Sequence, residues 1–240
     1  MARILVVVGL PAAGKSEACA VLERHLRHDG HAVTRLSDKH ALEAQVLLDI
    51  EANGRPGPEP GSLAGRHSIL LNPGAPAGTL RMIFEDGTAL NDAHRTLLAA
   101  MAVAVADGDN GRVALIEWAY GADHPYPREP LRQSGRQFVE WLGQFDLLDE
   151  AVVLDVVSSY EEREQRNRGR ADGIPAPEFA RHFPEAGHFT AEDLRLLAHG
   201  YARVENRGIS PQEFRSRVSR AYHGLLRFKV ATRAGAGARP

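Results

Sequence analysis

Short unbroken apolar runs alternate along this chain with stretches in which apolar residues recur every three or four positions. Residues 3–8 (RILVVV) are apolar, rich in β-branched side chains and followed by glycine, which predicts a strand buried on both faces. Ala18, Val21, Leu22 and Leu26 then share one face of a helix that Gly30 stops. The same reading predicts further strands over 32–36, 113–117 and 151–157, and helices over 39–50, 91–106, 131–144 and 161–170. Thr190 with Asp193 marks the start of a helix over 190–206, and Ser210, Pro211 and Glu213 start another over 210–226. An edge strand is expected over 227–232 and a disordered tail over 233–240. Residues 53–68 are rich in Gly and Pro and read as a loop. Two short strands over 68–71 and 80–84 surround a Pro/Gly turn, an inserted hairpin within 53–88 that could form part of a pocket or lid.

Strands alternating with helices predict an α/β protein. The expected architecture is three layers: a parallel sheet of about five strands with helices on both faces, in one domain over 1–232. Ligands of such sheets bind at the carboxyl ends of the strands, so the residues just after each strand carry the chemistry. The first such segment is GLPAAGKS, from Gly9 to Ser16. Its G-x-x-x-x-G-K-S pattern lies between a strand and a helix, where the mechanism of a phosphate loop needs it. Gly9, Ala12, Ala13, Gly14, Lys15, Ser16 and Glu17 would cradle a nucleotide's phosphates with backbone N–H groups and the helix N-terminus. Lys15 would reach the β- and γ-phosphates, and Ser16 would hold Mg²⁺ through its hydroxyl.

Asp38 ends the second strand, where a carboxylate could orient an acceptor hydroxyl and take its proton; a helix cap is the alternative. Glu117 ends the third strand, the place of a carboxylate that holds Mg²⁺ through water or acts as base. Trp118, Tyr120, Asp123, His124 and Tyr126 follow it, and could hold a planar or sugar-like acceptor or simply pack. Arg163, Arg166, Arg168 and Arg170 follow the fourth strand. Closing over ATP, they would neutralise charge on the transferring phosphoryl group. The histidines lack the spacing of a metal site.

Composition narrows the partners. The chain has 240 residues, 43% hydrophobic and 25% charged, enough to bury a sizeable core. A net charge of −2 gives no basic field for non-specific nucleic-acid binding. The single cysteine, Cys19, falls on the apolar side of the first helix and reads as a buried thiol. No apolar run is long enough to span a bilayer and no signal-peptide anatomy opens the chain, so no membrane partner and a cytoplasmic location are expected.

Together GLPAAGKS and LDVVSSYEEREQRNRGR resemble the P-loop kinases of small molecules and nucleic-acid ends, in particular zeta-toxin-like, polynucleotide-kinase-like and tRNA-kinase-like members. The second stretch is similar to their L-D-x-(4–5)-E-R-x-x-R-N-x-x-R run, where a strand ends and an arginine lid begins. The resemblance implies a P-loop NTPase fold, ATP, Mg²⁺ and a lid over about 160–190. It makes Arg163, Arg166 and Arg168 lid candidates and Asp38 the residue facing the acceptor. The reading at this stage is an ATP-dependent phosphotransferase acting on a small-molecule hydroxyl, with catalytic candidates Lys15, Asp38, Glu117, Arg163 and Arg166. A nucleoside monophosphate or nucleic-acid-end acceptor is the first alternative, with Arg81, Arg95, Arg128 or Arg132 as an acceptor clamp. A non-catalytic NTP-binding module is the second. The sequence leaves a homodimer open.

Overall fold

The structure is a computed structural model that describes residues 4–53, 67–71, 80–84, 87–106, 112–125, 129–170, 173–174, 176–184, 189–197 and 200–236. In chain order β1 (Ile4–Gly9) leads into α1 (Lys15–His28), β2 (Ala32–Ser37) and α2 (Asp38–Asn53). There follow β3 (His67–Leu71), β4 (Leu80–Phe84), α3 (Thr88–Ala106), β5 (Arg112–Ala119), α4 (Gly135–Gln144) and β6 (Ala151–Val157). The chain continues through α5 (Tyr160–Arg168), α6 (Ala176–His182), α7 (Ala191–Leu196), β7 (Tyr201–Glu205) and α8 (Pro211–Ala236).

Every residue of β1 is buried, as its β-branched run requires of a central parallel strand. β5 and β6 pair with it on either side, β2 pairs with β5 and β7 with β6. The result is a five-stranded parallel sheet in the order β2-β5-β1-β6-β7, with β3 and β4 as a separate antiparallel hairpin. Side-chain alternation along β1 divides the core in two. Ile4, Val6 and Val8 pack with Leu98 and Met101 of α3 and with Phe138, Trp141 and Leu142 of α4. Leu5 and Val7 pack with Leu22 and Leu26 of α1 and with Val218 and Tyr222 of α8. The three layers expected from the sequence are therefore present. Cys19 lies in the second half of this core, where burial pushes its thiol up to about 12.

Three expectations are corrected. The fifth strand is Tyr201–Glu205, inside the helix expected over 190–206. The capping box at Thr190 and Asp193 is real, but its helix ends at Leu196. Gly200 then opens β7, and a β-carbon there would lie 3.0 Å from the Ala151 carbonyl oxygen. The residues expected to form an edge strand over 227–232 belong instead to α8, which runs on to Ala236, into the expected tail. The segment after Arg170 also contains α6, where only a loop was expected. Most of the loop over 53–68 lies outside the described residues.

His94 of α3 is buried, stacked on Trp118 at 4.8 Å and edge-on to Trp141 at 5.3 Å. Burial pushes its pKa down to about 3. The folded protein therefore holds a neutral imidazole while the unfolded chain takes up a proton below about 6.5. The stabilisation is complete above that value and is lost as the pH falls, by about 2 kcal/mol between pH 7.5 and 5. Urea unfolding across this range should show that loss, and His94→Leu should flatten it; an equal slope in the variant would assign the effect elsewhere.

Candidate functional site

The loop between β1 and α1 is built to present backbone. Gly9 ends β1 so close to β6 that a β-carbon would lie 2.5 Å from the Val156 carbonyl oxygen. Ala12 takes a left-handed backbone with φ 63°, a strained conformation for a residue with a β-carbon. Gly14 is the residue before α1, with φ 111° and no side-chain cap, so the N–H groups of the first turn are left for a ligand. Ala13 is buried and donates its N–H to the Leu10 carbonyl.

Lys15 is buried at the base of this loop, with Nζ donating to the Leu10 carbonyl at 3.1 Å. Desolvation lowers its pKa, the carboxylates of Asp38 and Glu117 raise it, and Arg170 adds a smaller downward push. Lys15, Asp38 and Glu117 thus form one electrostatic cluster at the carboxyl ends of β1, β2 and β5. Ser16 donates its hydroxyl to Glu117 Oε1 at 2.6 Å, and Arg35 of β2 donates to Oε2 at 3.0 Å. A hydroxyl and a carboxylate this close offer hard oxygen donors of the kind Mg²⁺ takes, so the residues fit that ion. Glu17 is engaged by Arg215 of α8.

Asp38 is fixed by two backbone donors, its own neighbour Lys39 at 2.8 Å and Ala119 at the end of β5 at 2.5 Å. Burial raises its pKa, against the lowering effects of Lys15 and of these N–H groups. Ser37 accepts from the His40 N–H and starts α2, so capping and a role for Asp38 do not compete.

The arginines separate. Arg166 lies against the loop: Nη1 donates to the carbonyls of Ala12 and Ala13, both at 3.4 Å, and to Ser158 Oγ at 3.1 Å, while Nη2 donates to the Asn206 carbonyl. Arg163 is fully buried, flanked by the rings of Tyr160 and Phe179 and donating to the carbonyls of Ser158 and Phe183. These contacts fasten α5 to α6. Arg168 pairs with Glu164 on the surface. Arg170 lies exposed just past α5. Asn167 holds the turn beyond it by bonding Ile174 through both the N–H and the carbonyl.

The loop after β5 is packing at its root. Trp118 and Tyr120 are buried core, with the Tyr120 hydroxyl donating to Asp155 at 3.1 Å. Asp123 accepts from the N–H groups of Gln133 and Ser134, and Arg181 donates to His124 Nε2. Arg95 pairs with Asp92, and Arg132 reaches Gln137. Tyr126, Arg128 and the side chain of Arg81 lie outside the described residues. Two site residues carried no signal in the sequence reading. Asn206, just after β7, donates Nδ2 to the Ala13 carbonyl at 2.8 Å. It was hidden because its strand read as helix. Arg35 lies mid-strand and shows itself only through the pairing of Ser37 with Glu117.

No family model matches the chain, and no curated protein matches it. Among solved structures, a sugar kinase from Janibacter sp. is similar at 11% identity, over 94% of this chain and 96% of its own, with a TM-score of 0.53. Shikimate kinase from Acinetobacter baumannii is similar at 13% identity over 90% of each chain, with a TM-score of 0.44. The first likeness is one of fold, a layered α/β architecture.

Replacing Asn206 with Ala removes the donor that ties the loop between β1 and α1 to the segment just after β7. The Ala13 carbonyl then loses its best partner, and stability should fall by about 1–2 kcal/mol. The check is a lower urea midpoint with an unchanged m-value; an unshifted midpoint would mean the contact contributes nothing.

Proposed function

We propose that the protein is an ATP- and Mg²⁺-dependent phosphotransferase that moves the γ-phosphoryl group to a hydroxyl of a small molecule such as a nucleoside, a sugar or a hydroxylated natural product. The observation that carries this reading is the cluster of Lys15, Asp38 and Glu117 around one uncapped helix start. Lys15 and the bare N–H groups of the first turn bind the phosphates. Ser16 and Glu117 would hold Mg²⁺, which neutralises charge on the β- and γ-oxygens when bound. Asp38 has lone pairs free beyond its two backbone contacts. It orients the acceptor hydroxyl and takes its proton as the oxygen bonds to phosphorus and the bond to ADP breaks.

Among the arginines the geometry favours Arg166, which lies against the loop, for shaping it. Arg163 serves as the fastening of the lid. The Janibacter protein that shares the fold is a sugar kinase, which fits a small-molecule acceptor. The E-R-x-x-R-N run favours the zeta-toxin-like and polynucleotide-kinase-like branch within that class. We place residues 1–232 in one domain and the protein in the cytoplasm; no described helix is long and apolar enough to cross a membrane.

The test is ADP release with ATP and Mg²⁺ across nucleosides, nucleotides, sugars and hydroxylated metabolites. One acceptor class should stimulate it strongly, and Lys15→Ala should abolish the rise. Asp38→Asn should lower kcat about 10²-fold or more with ATP affinity little changed. Because burial raises Asp38 above its ordinary 3.8, kcat/KM should fall as the pH drops through a value above that, and the acid limb should vanish in Asp38→Asn. Full turnover in Asp38→Asn would remove it from the mechanism. ATP binding with no stimulated turnover by any acceptor would favour a non-catalytic role.

A further inference from the structure

Glu117 does not wait for a metal with its charge uncompensated. One carboxylate oxygen accepts from Ser16 and the other from Arg35, so the two contacts fix the side chain from opposite ends. Arg35 lies on β2, the edge strand of the sheet, in the position before the last two residues, and is itself about a third exposed. The register places Ser37 opposite Glu117, and with period-two alternation Arg35 shares a face with Ser37. The contact is therefore a product of strand pairing and not of a chance surface rotamer.

We propose that Arg35 is the built-in counter-cation of the metal carboxylate, positioning Glu117 and setting how much divalent cation the nucleotide complex needs. The inference rests on the reading of Ser16 and Glu117 as the metal pair. A divalent ion beside Ser16 meets a carboxylate already shared with a fixed positive charge, and the two cations repel through the same small group. Arg35 thus makes the site harder to load than a free carboxylate would. It also keeps Glu117 aimed at Ser16 before any ion arrives. Removing the charge leaves the Ser16 contact to orient Glu117, so the loss of repulsion dominates. Affinity for Mg²⁺ then rises. Arg35 acts through Glu117 and is a positioning residue.

The experiment follows the melting temperature of the full chain at saturating ADP across a series of Mg²⁺ concentrations, without any acceptor. In Arg35→Gln and Arg35→Met the half-maximal Mg²⁺ should fall about three- to tenfold, and Arg35→Lys should stay near the wild type. The difference should shrink at high salt. In a Glu117→Gln background the same Arg35 substitutions should shift the half-point no further. A wild-type half-point in both neutral variants would overturn the proposal and leave the kinase reading standing. So would an equal shift in Arg35→Lys. Failure of both neutral variants to fold, with Arg35→Lys folded, would assign Arg35 to the sheet edge and overturn it too. Absence of any Mg²⁺ dependence in the wild type would overturn both this proposal and the assignment of Ser16 and Glu117.

Discussion

Lys15 carries a positive charge into a place from which most water has been removed, and the surrounding loop is organised around that cost. Its ammonium has one carbonyl, Leu10, as a fixed acceptor, and the carboxylates of Asp38 and Glu117 supply the rest of its compensation through space. Such a group gains most when an anion arrives, because the interaction is made where the dielectric is low. The carbonyls of Ala12 and Ala13, turned away from the cradle, are taken up by Arg166 and Asn206. The Ala13 N–H is held by the Leu10 carbonyl, which leaves the uncapped first turn of α1 to present its N–H groups. The loop is preorganised by its neighbours and not by its own residues alone.

The segment after β6 shows how one sequence run divides into different physical tasks. Four arginines within eight residues look alike as letters. Their surroundings differ: Arg163 is enclosed by two rings, Arg166 straddles the loop between β1 and α1, Arg168 pairs along its own helix, and Arg170 is exposed beyond that helix. Spacing on a helix decides which residues share a face, but what that face meets is decided by tertiary packing. A fully buried guanidinium such as that of Arg163 holds a structure together, whereas an exposed one keeps its side chain in water.

The central strands and the turn between β1 and α1 were legible because their signals are local: β-branched runs, a glycine turn and a periodic helix. The three-layer parallel architecture followed from the alternation of elements. β7 was not legible, since YARVE lies behind a strong helix start at Thr190 and its pattern is too short to overrule the run before it. Losing that strand also lost Asn206. Asp38 and Glu117 could be named as strand-end acids. Their placement around Lys15, and the bond from Arg35, depend on the pairing of β2 with β5, a contact between residues some eighty positions apart. The aromatic residues after β5 offered two readings, and the burial of Trp118 and Tyr120 selects packing for them.

Asp155 on β6 has no access to solvent, and its carboxylate accepts from Tyr120, Tyr201 and Arg203. Two of these donors belong to β7, the last strand to be translated and one that forms a sheet edge. Its native register sets Arg203 opposite Asp155. A slip of one residue would turn Tyr201 and Arg203 to the other face of the sheet and leave a buried anion without them. Leaving a buried carboxylate without its donors costs on the order of 1–3 kcal/mol, a noticeable share of the stability of a typical domain. Misaligned docking of this edge is therefore self-penalising, because the buried carboxylate keeps these two donors in the native register.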